Sequence, residues 1–105
     1  MPREERWTSW LSGVDRLEVR LSRERRRVLN FAVQYIAQIS DEWHPIVRFD
    51  TAHQRPHMDV LWPRGAKETT ELNELDKARA FTYAISDIKA RWQFYRERYE
   101  RALRR

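Results

Sequence analysis

The chain has 105 residues, 35% of them charged, with a formal net charge of +5 and no cysteine. That length fits one domain, residues 1–105, with a small core, and the missing cysteines exclude a disulfide framework and a thiolate metal site. No apolar run approaches the roughly 18 residues of a membrane span, and MPREERWTSW lacks the apolar centre of a signal peptide, so the expectation is a cytoplasmic protein with no membrane partner.

Residues 3–11 have Trp7, Trp10 and Leu11 at spacings of three and four, which predicts a short N-terminal helix ended by Gly13. Residues 1–13 would then be a flap on the core. Residues 14–21, VDRLEVRL, alternate: Leu17, Val19 and Leu21 point one way, and Arg16, Glu18 and Arg20 the other, as in a half-buried strand. After the polar turn SRERRR, residues 28–39 (VLNFAVQYIAQI) read as a long strand. Period 2 sorts Asn30, Gln34 and Gln38 to one face, and the aromatic and β-branched content agrees. A helix with Leu29, Ala32, Val33 and Ile36 in one stripe is the competing reading.

Ser40, Asp41 and Glu42 make the next turn. Residues 46–50 and 57–62 are the arms of a hairpin joined by TAHQRP, with Val47, Phe49, Met58, Val60 and Trp62 toward the core. Pro63-Arg64-Gly65 closes a sheet that spans residues 14–63. From 71 to 104 the period becomes 3.6, and Leu72, Leu75, Ala78, Phe81, Ile85, Ile88, Trp92, Tyr95, Tyr99 and Leu103 form one stripe without Gly or Pro. Thr69 or Thr70 is the expected N-cap. A helix of roughly 34 residues is about 50 Å long, more than twice a six-residue strand at about 20 Å. Its overhanging aromatic end would need cover from the flap or from a second subunit, which makes a homodimer through the C-terminal helix a candidate. The expected fold is α+β: a four-stranded antiparallel meander sheet covered on one face by a long C-terminal helix, with a short N-terminal helix.

Basic charge gathers at two places. Lys89 to Arg105 contains seven basic and two acidic residues, and Arg23, Arg25, Arg26 and Arg27 form a second group. Both can meet a phosphate backbone. They serve equally as a solvated turn and as a helix end whose charges complement its dipole.

The face opposite the core carries the chemistry. If the hairpin closes through the six residues between Asp50 and His57, Asp50 sits across from His57 and Arg48 across from Asp59, with Gln34 beside Arg48. His53 and Arg55 belong to the loop above. An imidazole exchanges protons near neutrality, a carboxylate orients it, and arginine holds phosphate and stabilises charge developing on it. These groups suffice for metal-independent RNA cleavage in which the 2′-hydroxyl attacks the adjacent phosphorus. His53 and His57 are the candidate acid and base, Asp50 and Asp59 orient them, Arg48 or Arg55 binds the phosphate, and Gln34 lines the site; no cofactor is required. Two other readings stay open. The pairs can be ordinary decoration of a solvated face, or His57-x-Asp59 with Asp50 or His53 can ligate a metal. His44, beside Pro45, reads as structural. With Gly13 and Gly65 the only glycines, there is no Gly-rich phosphate loop, and no serine sits in a nucleophile elbow.

At RFDTAHQRPH, residues 48–57, the chain resembles the TumE-type toxins of prokaryotic toxin–antitoxin systems, or an uncharacterised sister family sharing the Arg-aromatic-Asp-x-Ala-His motif. The similar segment runs from Tyr35 to Gly65, and Thr51 stands where Asn is usual. The matching positions are Arg48, Asp50, Ala52, His53 and His57. The resemblance implies RNA cleavage and a partner antitoxin with a helix-turn-helix domain. The rival expectation is a non-catalytic module that binds protein or nucleic acid.

Overall fold

Six strands follow one another in chain order across a single antiparallel sheet, and one helix lies over one of its faces. The computed structural model describes all 105 residues. The strands are β1 (Arg3–Ser12), β2 (Asp15–Glu24), β3 (Arg27–Ile39), β4 (Glu42–Asp50), β5 (His57–Leu61) and β6 (Lys67–Glu71), and the helix is α1 (Lys77–Leu103). Two short 3-10 turns, Ala52–Gln54 and Pro63–Gly65, flank β5.

The sheet thus has six strands where four were expected, and there is no N-terminal helix. Residues 3–12 pair with β2, Trp7 opposite Val19 and Trp10 opposite Arg16. The two tryptophans that suggested one helical side therefore lie on opposite faces. Trp7 meets Phe81 of α1 edge-to-face at 6.3 Å, while Trp10 faces away from the helix. A turn held by Ser12, whose hydroxyl donates to Asp15 at 2.6 Å and accepts from the Val14 N–H at 3.0 Å, folds β1 back. The second added strand, KETTE, pairs with β5 from Leu61↔Lys67 to His57↔Glu71. Its exposed charges and β-branched threonines suit an edge strand, where charge blocks further pairing.

Helix α1 begins at Lys77, not Glu71. Leu72 and Leu75, which continue its apolar period, belong to a turn: the Leu72 N–H donates to the Pro56 carbonyl at 3.0 Å and the Leu75 N–H to the Leu72 carbonyl at 3.1 Å. Asp76 is the N-cap, accepting from the Arg79 N–H at 2.8 Å, while Thr69 and Thr70 belong to β6.

The core lies between sheet and helix. Leu17, Val19 and Leu21 of β2, Phe31, Val33, Tyr35 and Ala37 of β3, and Val47 and Phe49 of β4 meet Ala80, Ala84, Ile88, Tyr95 and Tyr99. The alanines let the helix approach the sheet closely. No aromatic end overhangs. The 27 helical residues span about 40 Å at 1.5 Å each, and the 13 residues of β3 span about 43 Å at 3.3 Å each. Trp92 packs on Tyr35 at 6.3 Å, and Tyr95 and Tyr99 are buried. The helix therefore leaves no overhanging aromatic end that calls for a second subunit. The helix is not long and apolar enough to cross a membrane.

One buried polar group ties the two layers together. Asp15, 2% exposed, accepts from Ser12, from the Tyr35 hydroxyl at 2.5 Å and from Arg96 of α1 at 2.8 Å. Arg96 also donates to the Gln38 carbonyl at 2.9 Å.

Candidate active site

Antiparallel register and the two-residue period of strands set side chains in rows across the open face, away from α1. One row reads Thr8, Glu18, Gln34, Arg48, Asp59, Thr69; the next reads Arg6, Arg20, Ala32, Asp50, His57, Glu71. Asp50 lies opposite His57, Arg48 opposite Asp59, and Gln34 beside Arg48.

The loop between β4 and β5 is fixed at both ends. Buried Thr51 donates its N–H to the Phe31 carbonyl at 3.2 Å and accepts the Phe31 N–H on its hydroxyl at 3.0 Å, so β4 stays stitched to β3 past Asp50. Asp50 accepts from the Ala52 N–H at 3.1 Å, a turn that suits a short carboxylate side chain. His53 and Gln54 then take left-handed backbone at φ 62° and 69°. Lys77, at the helix start, donates to the Leu29 carbonyl at 2.8 Å and to the Gln54 side chain at 2.9 Å, pinning the loop against the sheet.

Three of the expected residues converge. His57 Nε2 is 2.8 Å from Asp50 Oδ1 and 3.7 Å from Asp59 Oδ2. His57 Nδ1 is 3.2 Å from the Arg55 carbonyl. A carbonyl only accepts, so Nδ1 donates, and Nε2 faces the carboxylates. The ring satisfies both contacts when each nitrogen carries a hydrogen, or when a cation stands between Nε2 and the carboxylates. Asp59 is 3% exposed, and its other oxygen accepts from the Thr69 hydroxyl at 2.6 Å. One ligand atom from each of Asp50, His57 and Asp59 lies within 4.8 Å of the others.

A cleft of about 340 Å³ opens over this group, lined also by Arg48, His53 and Arg55. His53 and Arg55 are exposed on its rim. Arg48 faces Asp59 in register without ion-pairing to it. Gln34 lines the neighbouring hollow with Arg48 rather than the cleft itself. His44 stands apart, 3.3 Å from the Tyr99 hydroxyl and toward the other end of β4. The cluster can exchange a proton, hold a cation, or bind a phosphate beside a guanidinium.

A family model described as a domain of unknown function, DUF7718, matches residues 1–105. The chain belongs to the DUF7718 family. No curated protein and no solved structure gives a match.

Two residues of this open face, one in the cleft and one beside it, escape sequence reasoning. Thr69, the hydroxyl donor to Asp59, reads as a helix cap as long as β6 goes unseen. Arg20 is visible on the polar face of VDRLEVRL, but only the β2–β3 register, Arg20 opposite Ala32, places it two strands from Asp50.

Proposed function

We propose that the open-face cluster cleaves RNA at a phosphodiester bond, with His53 and His57 exchanging the protons. The observation that carries this reading is His57 held between Asp50 and Asp59 in a cleft that also presents a guanidinium free of any carboxylate, Arg48. His53 on the rim takes the proton of the 2′-hydroxyl. The oxygen attacks the neighbouring phosphorus, and His57, protonated on both nitrogens, gives the Nε2 proton to the departing 5′-oxygen. The products are a 2′,3′-cyclic phosphate and a 5′-hydroxyl. Arg48 and Arg55 balance the charge that builds on the phosphoryl oxygens. Asp50 and Asp59 orient the ring.

The resemblance at residues 48–57 adds a toxin role and an antitoxin partner with a helix-turn-helix domain to this proposal. It is tested by whether a neighbouring gene encodes such a protein and whether that protein silences the cleavage.

A second reading is supported by the convergence of Asp50, His57 and Asp59. An imidazole that donates Nδ1–H to a carbonyl while Nε2 points at two carboxylates is arranged as a divalent-cation ligand would be. One assay separates the two. Pure protein is incubated with single-stranded and transfer RNA, with and without a chelator, beside His53→Ala and His57→Ala. Acid–base chemistry predicts cleavage that survives the chelator and falls at least about 100-fold in each variant. Loss of cleavage with the chelator and its return with added manganese would support the cation instead. Intact RNA in every lane, with folded protein, would end both.

A further inference from the structure

The His57 cluster uses the β4–β6 side of the open face. On the β1–β4 side most acids are already engaged: Glu4 holds Arg6 at 3.0 Å and Glu18 holds Arg16 at 2.9 Å. Arg20 and Arg48 are left without a carboxylate. They stand around Ala32, Arg20 directly opposite it and Arg48 one row on, beside Gln34. A methyl group among long side chains makes a dip, and a hollow of about 460 Å³ lies there, lined by Arg6, Arg20, Ala32, Gln34 and Arg48 together with Glu18, whose carboxylate is held by Arg16. This hollow shares Arg48 with the His57 cleft. It shares Arg20 with a third hollow of about 430 Å³ that reaches Asp50 and His53. The three form one trough across the face.

Toward the opposite end of the sheet from the β4–β5 loop, the same face carries an aromatic pair. Trp10 and Trp43 are 57% and 38% exposed, with ring centroids 6.1 Å apart. The Arg16 guanidinium lies 4.3 Å over Trp43 and 5.7 Å from Trp10. Both rings lie on the face away from the core, packed against Arg16 and against each other. From β1, where Trp10 sits, to β4, where Arg48 sits, is three interstrand steps, about 14 Å.

We propose that the trough is a track for single-stranded RNA, with Arg20 and Arg48 on its phosphates and Trp10 and Trp43 stacking its bases. Free guanidiniums bind phosphate by paired hydrogen bonds. Exposed aromatic rings on an open sheet face accept unstacked bases whatever their sequence. A duplex keeps its bases stacked inside and cannot use the tryptophans. The choice of RNA rests on the cleavage reading above; the track itself rests on the arginines and tryptophans.

The test uses a fluorescein-labelled, 2′-O-methylated single strand, which lacks the attacking hydroxyl, and the same strand in a duplex. Binding is followed by anisotropy at several salt concentrations. The wild-type protein should bind the single strand more tightly than the duplex. Trp10→Ala with Trp43→Ala should weaken it by about tenfold or more, and Trp10→Phe with Trp43→Phe should restore most of the affinity. Arg20→Ala should weaken binding and flatten its salt dependence. Tyr83→Ala, on the helix side, should change nothing. Unchanged affinity in the tryptophan and Arg20 variants, with folding confirmed by circular dichroism, would overturn the track, as would equal or tighter binding of the duplex. No binding of the single strand by wild-type protein would overturn it too. Tight, tryptophan-dependent binding of this strand alongside a blank cleavage assay would sink the cleavage reading and leave the track standing.

Discussion

The carboxylate of Asp59 lies almost wholly out of water, with the Thr69 hydroxyl at 2.6 Å as its one short hydrogen bond and His57 at 3.7 Å. A buried carboxylate oxygen that loses its donor costs about 1–3 kcal/mol. Thr69→Val keeps the side-chain shape and the strand, so it should destabilise the fold by that amount while leaving the backbone pairing of β5 and β6 intact. Urea unfolding measures it: the midpoint should fall with the slope unchanged. In the cleavage assay the same variant should retain part of the activity, because Asp59 orients His57 and does not itself exchange the proton. Activity and stability both at the wild-type level would show that Thr69 contributes nothing to Asp59. At this scale much of the cluster was legible. Two residues apart on a strand share a face, and that rule with a six-residue loop sets Asp50 against His57 and Arg48 against Asp59. The missing Arg48–Asp59 ion pair was not legible, because facing positions in register do not fix which rotamers meet.

Elements depend on what they pair with, and there the sequence was a weaker guide. Residues 3–12 fit both a 3.6 and a 2 period; pairing with β2 decides between them, and a local pattern does not contain that partner. KETTE is too short and too polar to signal a strand, yet β5 supplies its ladder. The helix start was misplaced because the apolar period runs on through Leu72 and Leu75, which cover the core from a turn. A signal that could have been read is Asp15. It continues the Leu17, Val19, Leu21 face, so a charge stands in an apolar series. Arg96 does the same in the helical stripe between Trp92 and Tyr99. Two charges in two facing apolar patterns imply each other, and they meet at 2.8 Å. Removing one partner leaves the other charge buried, which costs about 3–5 kcal/mol. Arg96→Met should therefore destabilise strongly, and adding Asp15→Asn should recover part of the loss, since the stranded carboxylate is then neutral. A double variant no more stable than Arg96→Met would mean that the carboxylate is not the penalty and that helix docking depends on the arginine's packing.

At the scale of the molecule, one seam joins a six-stranded sheet to one helix, and three of its buried residues are tyrosines. Burial pushes the hydroxyls of Tyr35, Tyr95 and Tyr99 upward from the ordinary tyrosine range, and hydrogen bonds to Asp15 and Asp87 push Tyr35 and Tyr95 further. Each of them holds its proton more tightly folded than unfolded. Stability from this source is complete below the unfolded value of about 10 and falls as pH rises above it, because the unfolded chain ionises while the folded chain resists. The seam should therefore open in alkali. Unfolding monitored by circular dichroism between neutrality and strong alkali should give a flat midpoint up to about pH 10 and a steep fall beyond it. Tyr95→Phe removes one titrating group without removing the ring. Its curve should start lower at neutral pH, since Asp87 loses a donor at 2.5 Å, and should fall less steeply above pH 10, as one fewer phenol distinguishes the two states. Parallel alkaline limbs in the two proteins would show that Tyr95 ionises alike folded and unfolded, and that its burial in the seam does not hold against hydroxide.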